Sequence, residues 1–382
     1  MALTEKGLLA LKYINKYFDS AATFSAKDLS DKCGEKIVGA TLNSIAGNGY
    51  LQRLGGSPVL YQPVAEFSEL MDAMEAEASN AGCDNSNLRA AKRAKNDEFY
   101  TLYRDIEIEV MKYRKQFKDK IVYLPCDDPA EKKSEFWSFF VNNFDAFGLK
   151  KLIATHYDEN DRAYKIWIDS DTTGDGFIDD GDALQESLEG NGDFRSPECM
   201  DIMRECDIVV TNPPFSLFRE FVEALMSVDK KFLIIGNKNA FTYKEIFPLI
   251  KDNKIWTGWS QPKDFRLEDG SITSKMNGLC RWFTNMPVNR RNEELILVKK
   301  YNPMDYPKYD NYDAIEVNKV VNIPKDYYEV IGVPITFIDK YSPEQFEILR
   351  CSAFSNPEFS GCGALYVNRN KTYARVLIRR KK

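Results

Sequence analysis

At 382 residues the chain is too long for one ordinary domain and long enough to bury a substantial core, so two or three units are expected. Apolar residues at 43% and charged residues at 29% suit a globular protein in water; no stretch reaches membrane-spanning length and the opening Met1-Ala2-Leu3-Thr4-Glu5-Lys6 lacks a signal-peptide layout, so a cytoplasmic protein without a membrane partner is expected. Eight cysteines without a Cys-x-x-Cys pair and one histidine, His156, speak against zinc sites, disulfide frameworks and histidine-based hydrolysis, while the net charge of −6 gives no average pull toward nucleic acid.

Residues 7–18 form an amphipathic segment, Ser25 is placed to cap a helix over 26–33, and a third helix is expected over 35–48. Alternating residues over 50–62 surround Gly55-Gly56, so residues 1–65 resemble a winged helix-turn-helix whose recognition helix, 36–48, brings Lys36 as its one cation toward DNA. Residues 66–95 read as a helical linker: an acidic run (Glu69, Asp72, Glu75, Glu77), a polar break at 79–87 and a basic run (Arg89, Lys92, Arg93, Lys95). From residue 96 onward apolar strands alternate with helical segments, the pattern of an α/β protein with a parallel sheet, with strands expected at 120–124, 151–156, 207–211, 231–236 and 278–284. Beyond residue 293 strand-like runs at 295–298, 335–338 and 374–378 suggest an appended, partly sheet-forming region. It ends in Arg379, Arg380, Lys381 and Lys382, part of an acid-free stretch from Arg369 that is placed to contact phosphates.

The strand at 207–211 runs into Asn212-Pro213-Pro214-Phe215. Ligands of open α/β sheets bind at the carboxyl ends of strands, and two prolines there remove two N–H donors while leaving carbonyls to accept. The Asn212 side-chain oxygen and the Pro213 carbonyl can each accept one N–H of an exocyclic amine, and Phe215 can stack on the ring that carries it. This motif resembles the catalytic motif of amino-methyltransferases that use S-adenosyl-L-methionine. The loop after the first strand, Pro125-Cys126-Asp127-Asp128-Pro129, has no glycine, unlike most cofactor loops of that superfamily; its Pro-Cys pair lacks the following Gln of cytosine C5 enzymes, so no covalent nucleophile is expected. Elsewhere Asp171, Thr173, Asp175, Asp179 and Asp182, with Gly176 and Ile178, follow the spacing of an EF-hand loop that would hold a structural calcium ion; against it, the flanking residues 164–168 read as a strand rather than a helix, and Asp/Gly-rich turns between strands are common.

Six blocks in one order, Asn96-Asp97-Glu98-Phe99-Tyr100-Thr101, Cys126-Asp127-Asp128-Pro129, Gly192-Asp193-Phe194-Arg195-Ser196, TNPPFSLF from Thr211, FLIIGN from Phe232 and Trp282-Phe283-Thr284-Asn285, resemble the EcoRI-type adenine-specific DNA methyltransferases from residue 96 to the end. The resemblance implies a Rossmann-like, seven-stranded methyltransferase sheet over residues 96–292 with the gamma-class motif order, and a target-recognition region over 293–382. It implies methyl transfer from S-adenosylmethionine to N6 of an adenine extruded from double-stranded DNA, catalysed at Asn212, Pro213, Pro214 and Phe215. Asp127, or Asp128 beside it, would take the methionine ammonium; Asp158, or Glu159, the ribose hydroxyls; Asp193 the adenine amine, with Phe194 against its ring. Phe99, Tyr100 and Thr101 would close over the methionine arm, and Trp282 and Phe283 would wall the target-base pocket. A place in restriction–modification is implied, with no mark of a particular nuclease partner. The rival readings are methylation of RNA or of a protein glutamine, and a DNA-binding regulator on an inactive scaffold.

Overall fold

A computed structural model of the chain describes residues 10–11, 13–14, 18, 22–33, 37–47, 50–56, 58–64, 99–127, 129, 135–158, 163–267 and 269–382, which fall into two compact units, Met1–Ala94 and Lys95–Lys382. Lys36, Asp128, Glu159 and the linker over 66–95 lie outside the described residues.

In the first unit a helix runs over Ala26–Cys33, opened by a reciprocal cap: the Asp28 amide donates to Ser25 Oγ at 3.3 Å and the Ser25 amide to the Asp28 carboxylate at 2.8 Å. The next helix is Gly39–Gly47, shorter at its start than expected and without Lys or Arg. Strands Leu51–Gly55 and Leu60–Pro63 pair as an antiparallel hairpin, with Gly55 and Gly56 at φ +81° and +98° in a turn that side chains rarely adopt. Tyr61 joins the hairpin to the helices: it exchanges backbone bonds with Phe24, and its hydroxyl donates to Asn43. Leu11, Ile14, Phe24, Leu29, Leu42, Ile45 and Leu51 pack around it.

In the second unit the strands β1 (Ile121–Leu124), β2 (Lys151–His156), β3 (Tyr164–Ile168), β4 (Leu184–Ser187), β5 (Ile208–Thr211), β6 (Lys231–Asn237), β7 (Trp256–Thr257) and β8 (Cys280–Thr284) make one sheet in the order β7-β8-β6-β5-β1-β2-β3-β4. The central four, β6, β5, β1 and β2, are parallel, and each side is extended by antiparallel strands. The parallel strands read as near-continuous apolar runs because both faces are covered: Tyr123, Val209 and Phe232 pack in one cluster with helices α3 (Pro197–Glu205) and α4 (Phe218–Ser227), while alternation turns the equally buried Val122, Leu124 and Val210 to the other face. Two further helices, α1 (Tyr103–Val110) and α2 (Phe136–Asn142), lie in the same unit, with shorter ones at Phe144–Phe147 and Phe247–Lys251.

Three expectations are corrected. The sheet has eight strands rather than seven, because the chain after β2 turns back twice and adds β3 and β4 beyond it. Residues 295–298 form no strand: the Gln345 side-chain amide bonds both the N–H and the C=O of Leu295, at 2.8 Å each, in place of a neighbouring backbone. Residues 335–338 lie in a 3-10 turn, Ile335–Lys340, and the strand there is Val330–Pro334, which ends at the proline. Val330–Pro334 lies between Ile315–Glu316 and Arg375–Arg380, with Phe346–Cys351 outermost. This C-terminal sheet is no separate body, since Ile315, Val333, Ile348 and Val376 share one core with α3 and α4.

Arg281 of β8 is held to that region by Asp339 in a bidentate pair of 2.7 and 2.8 Å, with side chains only 7% and 11% exposed. Removing one partner of such a pair strands the other charge. Asp339→Ala is therefore expected to destabilise the second unit by about 3–5 kcal/mol, read as a lower denaturant midpoint; a loss below about 1 kcal/mol, the size of a surface pair, would show that packing alone joins the C-terminal sheet to β8.

Candidate active site

Because β1, β2, β5 and β6 are parallel, their carboxyl ends lie on one edge, which brings Asp127, Asp158, Asn212 and Asn237 to the same side of the sheet. Asn212 directly follows β5. Its Nδ2 donates to the main-chain carbonyl of Phe99, while its Oδ1 is buried and has no hydrogen-bond partner among the described residues. The Pro214 carbonyl accepts from Leu217 N at 2.9 Å, so it is spent on the turn into α4. Phe215 is 7% exposed and stacks on Phe99, with centroids 5.9 Å apart and planes 19° from parallel. Phe99 also meets Phe265 edge-on at 6.0 Å.

The motif is packed into the sheet through Phe218. A Cβ on Gly236 of β6 would lie 2.3 Å from the Phe218 ring, so only glycine lets α4 come this close. Phe218 in turn packs on Phe283, centroids 5.0 Å apart, and Phe241 lies on the same ring at 5.5 Å. Phe283 is thus fully buried in the core, and Trp282, on the opposite face of β8, is fully buried against Phe136. The Trp282 indole N–H has no partner among the described residues.

At the end of β1, Asp127 is 2% exposed and accepts the Trp137 N–H at 2.8 Å, in the first turn of α2. Cys126, beside it, touches Thr211 at the end of β5, and burial pushes its thiol well above the usual range, which removes the thiolate that a nucleophile needs. Gly192, at φ +78°, closes onto the end of β2: a Cβ there would lie 2.3 Å from the His156 carbonyl. The Asp158 N–H donates to the Asn191 carbonyl at 3.0 Å, so Asp158 and Asp193 are brought close together. Asp193 is held by Arg195, whose Nε and Nη2 reach its two oxygens at 2.9 and 2.6 Å and whose N–H adds a third bond at 2.8 Å. This pairing lowers the Asp193 pKa. A carboxylate has about four acceptor positions, so an adenine amine would share Asp193 with Arg195. Phe194 is buried, edge-on to Phe221 at 4.9 Å.

Tyr100–Thr101 is a short strand that pairs with Phe265–Arg266, and Thr101 Oγ1 is buried with no partner among the described residues. The following helix holds it in place by contacts that sequence reading does not reveal. Glu109 accepts from Trp259 N at 2.7 Å, Ser260 N at 2.5 Å, Ser260 Oγ at 2.6 Å and the Tyr113 hydroxyl at 2.8 Å, and Asp105 accepts from Lys263 N at 2.8 Å. Glu135, just before α2, joins this assembly by accepting from Tyr103 N and from Arg266. Only the spacing of Asp105, Glu109 and Tyr113 is visible locally; the Trp259, Ser260 and Lys263 partners lie about 150 residues on.

The calcium expectation is corrected. Asp171 accepts from Gly174 N and Gly176 N, Asp175 from Phe177 N and Asp179 from Gly181 N, while buried Asp182 takes the amides of Thr172, Thr173 and Asp179. The Thr173 N–H, then that of Asp179, hold the Asp182 pKa down to about 2. The carboxylates cap backbone between two strands, and among the described residues no three His, Cys, Asp or Glu side chains gather as a metal site.

The basic end is likewise not a free tail. Arg375 is buried against Glu316 at 2.6 Å, Arg379 lies 3.8 Å from Glu347, Arg380 covers the Tyr328 ring and Lys381 donates to the Pro343 carbonyl. The acids missing from the local sequence come from neighbouring strands. Among the described residues no helix is long and apolar enough to cross a membrane.

The family model described as "Adenine-specific methyltransferase EcoRI" matches residues 87–381. The chain is 45% identical to the Type II methyltransferase M.EcoRI of Escherichia coli, over 78% of this chain and 97% of that protein. It is 37% identical to M.MgeORF184P of Mycoplasma genitalium (76% and 98%) and 39% identical to M.MpnI of Mycoplasma pneumoniae (69% and 85%), both Type II methyltransferases. No solved structure matches. Since the family model covers residues 87–381 and M.EcoRI is 45% identical over 78% of the chain, the chain belongs to the EcoRI family of adenine-specific methyltransferases.

Proposed function

We propose that the chain methylates N6 of an adenine turned out of double-stranded DNA, with Asn212 Oδ1 as the acceptor that seats the target amine. The observation that carries this reading is the buried Oδ1 at the carboxyl end of β5, without a partner among the described residues, beside the aromatic ring of Phe215. Burying a carbonyl unpaired costs about 1–3 kcal/mol, so such an atom marks a place where a donor arrives. Since the Pro214 carbonyl is used in the turn, Pro213 supplies the second acceptor. S-adenosylmethionine supplies a methyl group on a sulfonium that leaves as a neutral thioether, so alignment and amine seating matter more than a strong base. The residues present fit that group: Asp127 would accept from the methionine ammonium, the Thr101 hydroxyl would close over the same arm, and the turn that only Gly192 permits would set Asp158 and Asp193 for the ribose and adenine. Extruding the base costs a few kcal/mol, recovered by stacking and hydrogen bonds in the pocket. In this reading Trp282 and Phe283, both wholly buried, act as packing rather than as pocket walls.

The first unit is a winged-helix module that adds DNA affinity. Its helix, hairpin and the bridge of Phe24 to Tyr61 support this reading, and the family match begins only at residue 87. The helix Gly39–Gly47 lacks cations, so its contribution to phosphate binding is modest. Of the basic end, exposed Lys382 remains as a phosphate contact, with Arg379 available only in competition with Glu347, and recognition of the target sequence is assigned to residues 293–368.

Asn212→Ala is expected to lower the methylation rate about a hundredfold, the ~3 kcal/mol of one transition-state hydrogen bond, while S-adenosylmethionine affinity stays within a few-fold. Parent-like turnover in the mutant would remove Asn212 from catalysis. Asp127→Asn keeps an acceptor for the Trp137 N–H but loses the charge, so titration calorimetry should show cofactor binding weakened by about tenfold, the ~1.5 kcal/mol of a charge-assisted bond; an unchanged affinity places the ammonium elsewhere. Deleting residues through 88 should leave a folded enzyme that binds DNA more weakly and methylates the same sites. Mapping of methylated adenines checks this, and a changed site would move sequence reading into the first unit.

A further inference from the structure

A carboxamide has an oxygen and a nitrogen end of the same shape, and which end faces a pocket is decided by what the other end meets. At Asn212 the other end meets the main chain of Phe99: Nδ2 donates to that carbonyl, and Oδ1 is left buried with no partner among the described residues. The reversed amide would set oxygen against oxygen at Phe99 and present N–H groups to an incoming amine, donor facing donor. We propose that Phe99 is a positioning residue for the methyl-transfer step, its main-chain carbonyl fixing the Asn212 amide with the oxygen toward the target amine. The proposal rests on the reading of Asn212 as the amine acceptor, and it moves Phe99 from the cofactor arm to the acceptor geometry.

The carbonyl is itself held from several sides. The Phe99 ring stacks on Phe215 and meets Phe265 edge-on. The next two residues pair with Phe265–Arg266, with Thr101 opposite Phe265 and Tyr100 opposite Arg266. The first and fourth residues of the catalytic motif thus grip one residue 113 positions earlier, Asn212 by its carbonyl and Phe215 by its ring. No other donor among the described side chains meets that carbonyl, so the bond depends on the amide hydrogen.

Asn212→Asp tests this in the full-length enzyme, with S-adenosylmethionine and unmethylated plasmid duplex as substrates. An ionised carboxylate still accepts from an amine, but it has no hydrogen for Phe99; a protonated one has both. The kcat of the variant, divided by that of the parent at each pH, should rise about tenfold per pH unit on acidification from pH 9 toward the carboxyl's own pKa. The titratable and charged groups on the neighbouring elements include Cys126, which touches Thr211, Asp127 and Asp193, which act on Cys126, and, beside Phe99, Tyr100, the Arg266 opposite it and the Glu135 paired with Arg266. They are intact in both proteins and divide out. A ratio that is flat, or that falls with acid as for an acceptor acting alone, overturns the proposal.

If the variant is inactive at every pH, Phe99→Ala decides. Loss of the ring frees the carbonyl, so kcat should fall at least tenfold with S-adenosylmethionine affinity within twofold; weakened cofactor binding with unchanged kcat would return Phe99 to the cofactor arm and overturn the proposal. Asn212→Ala separates the two levels. Parent-like activity there ends the reading of Asn212 itself, whereas an inactive Asn212→Ala beside a pH-flat Asn212→Asp ends only the role of Phe99.

Discussion

Glu109 carries four hydrogen bonds in a place that water does not reach, and the geometry of the site follows from it. Burial alone pushes its pKa up, while the Ser260, Trp259 and Tyr113 donors favour the charged form. A buried carboxylate costs several kcal/mol unless its lone pairs are filled, so the loop at 258–260 cannot leave without exposing that cost. The approach is possible because residue 258 is glycine: a Cβ there would lie 2.2 Å from Glu109 Oε1. With Asp105 holding Lys263 one turn earlier, α1 fixes the loop that leads into Phe265–Arg266, and that strand pairs with Tyr100–Thr101. A segment that precedes the sheet in sequence is thereby laid across the end of β5, where Phe99 meets Asn212.

A second constraint acts from below the motif. Phe218 fits against β6 only because residue 236 is glycine, and it passes that contact to Phe283 and Phe241. The motif is therefore clamped between an aromatic core on one side and the Phe99 strand on the other. Interiors packed to this density resist small displacements, which suits a reaction whose rate depends on the alignment of amine and methyl donor.

What the sequence reveals of this arrangement is what short-range patterns can encode. The parallel strands are visible because burial on both faces makes each a continuous apolar run, and the cap at Ser25 because its partner is three residues away. The Asn212-Pro213-Pro214-Phe215 motif stands out because two prolines directly follow an apolar strand. The acidic loop at 171–182 misleads for the converse reason: carboxylates at calcium-loop spacing can equally cap the backbone of a turn, and spacing does not say which N–H groups or ions they meet. Glu109, Asp339 and Gln345 act on partners 50 or more residues away, where no local pattern records the pairing. Arg195 is a different case, since its partner Asp193 is two residues off and the pair was open to reading.

The charges set a limit on how the enzyme meets a polyanion. The net charge is −6, and several of the cations that look available are used internally, Arg375 by Glu316, Arg281 by Asp339 and Arg266 by Glu135. At the β4 side of the sheet Asp169, Asp171, Asp175, Asp179 and Asp180 are all exposed, and phosphates are repelled from that edge. Affinity built mainly on released counterions needs many unpaired cations on one surface. Each internal pairing therefore takes one cation away from those that phosphate contacts could draw on, and lowers the salt dependence that such contacts would give.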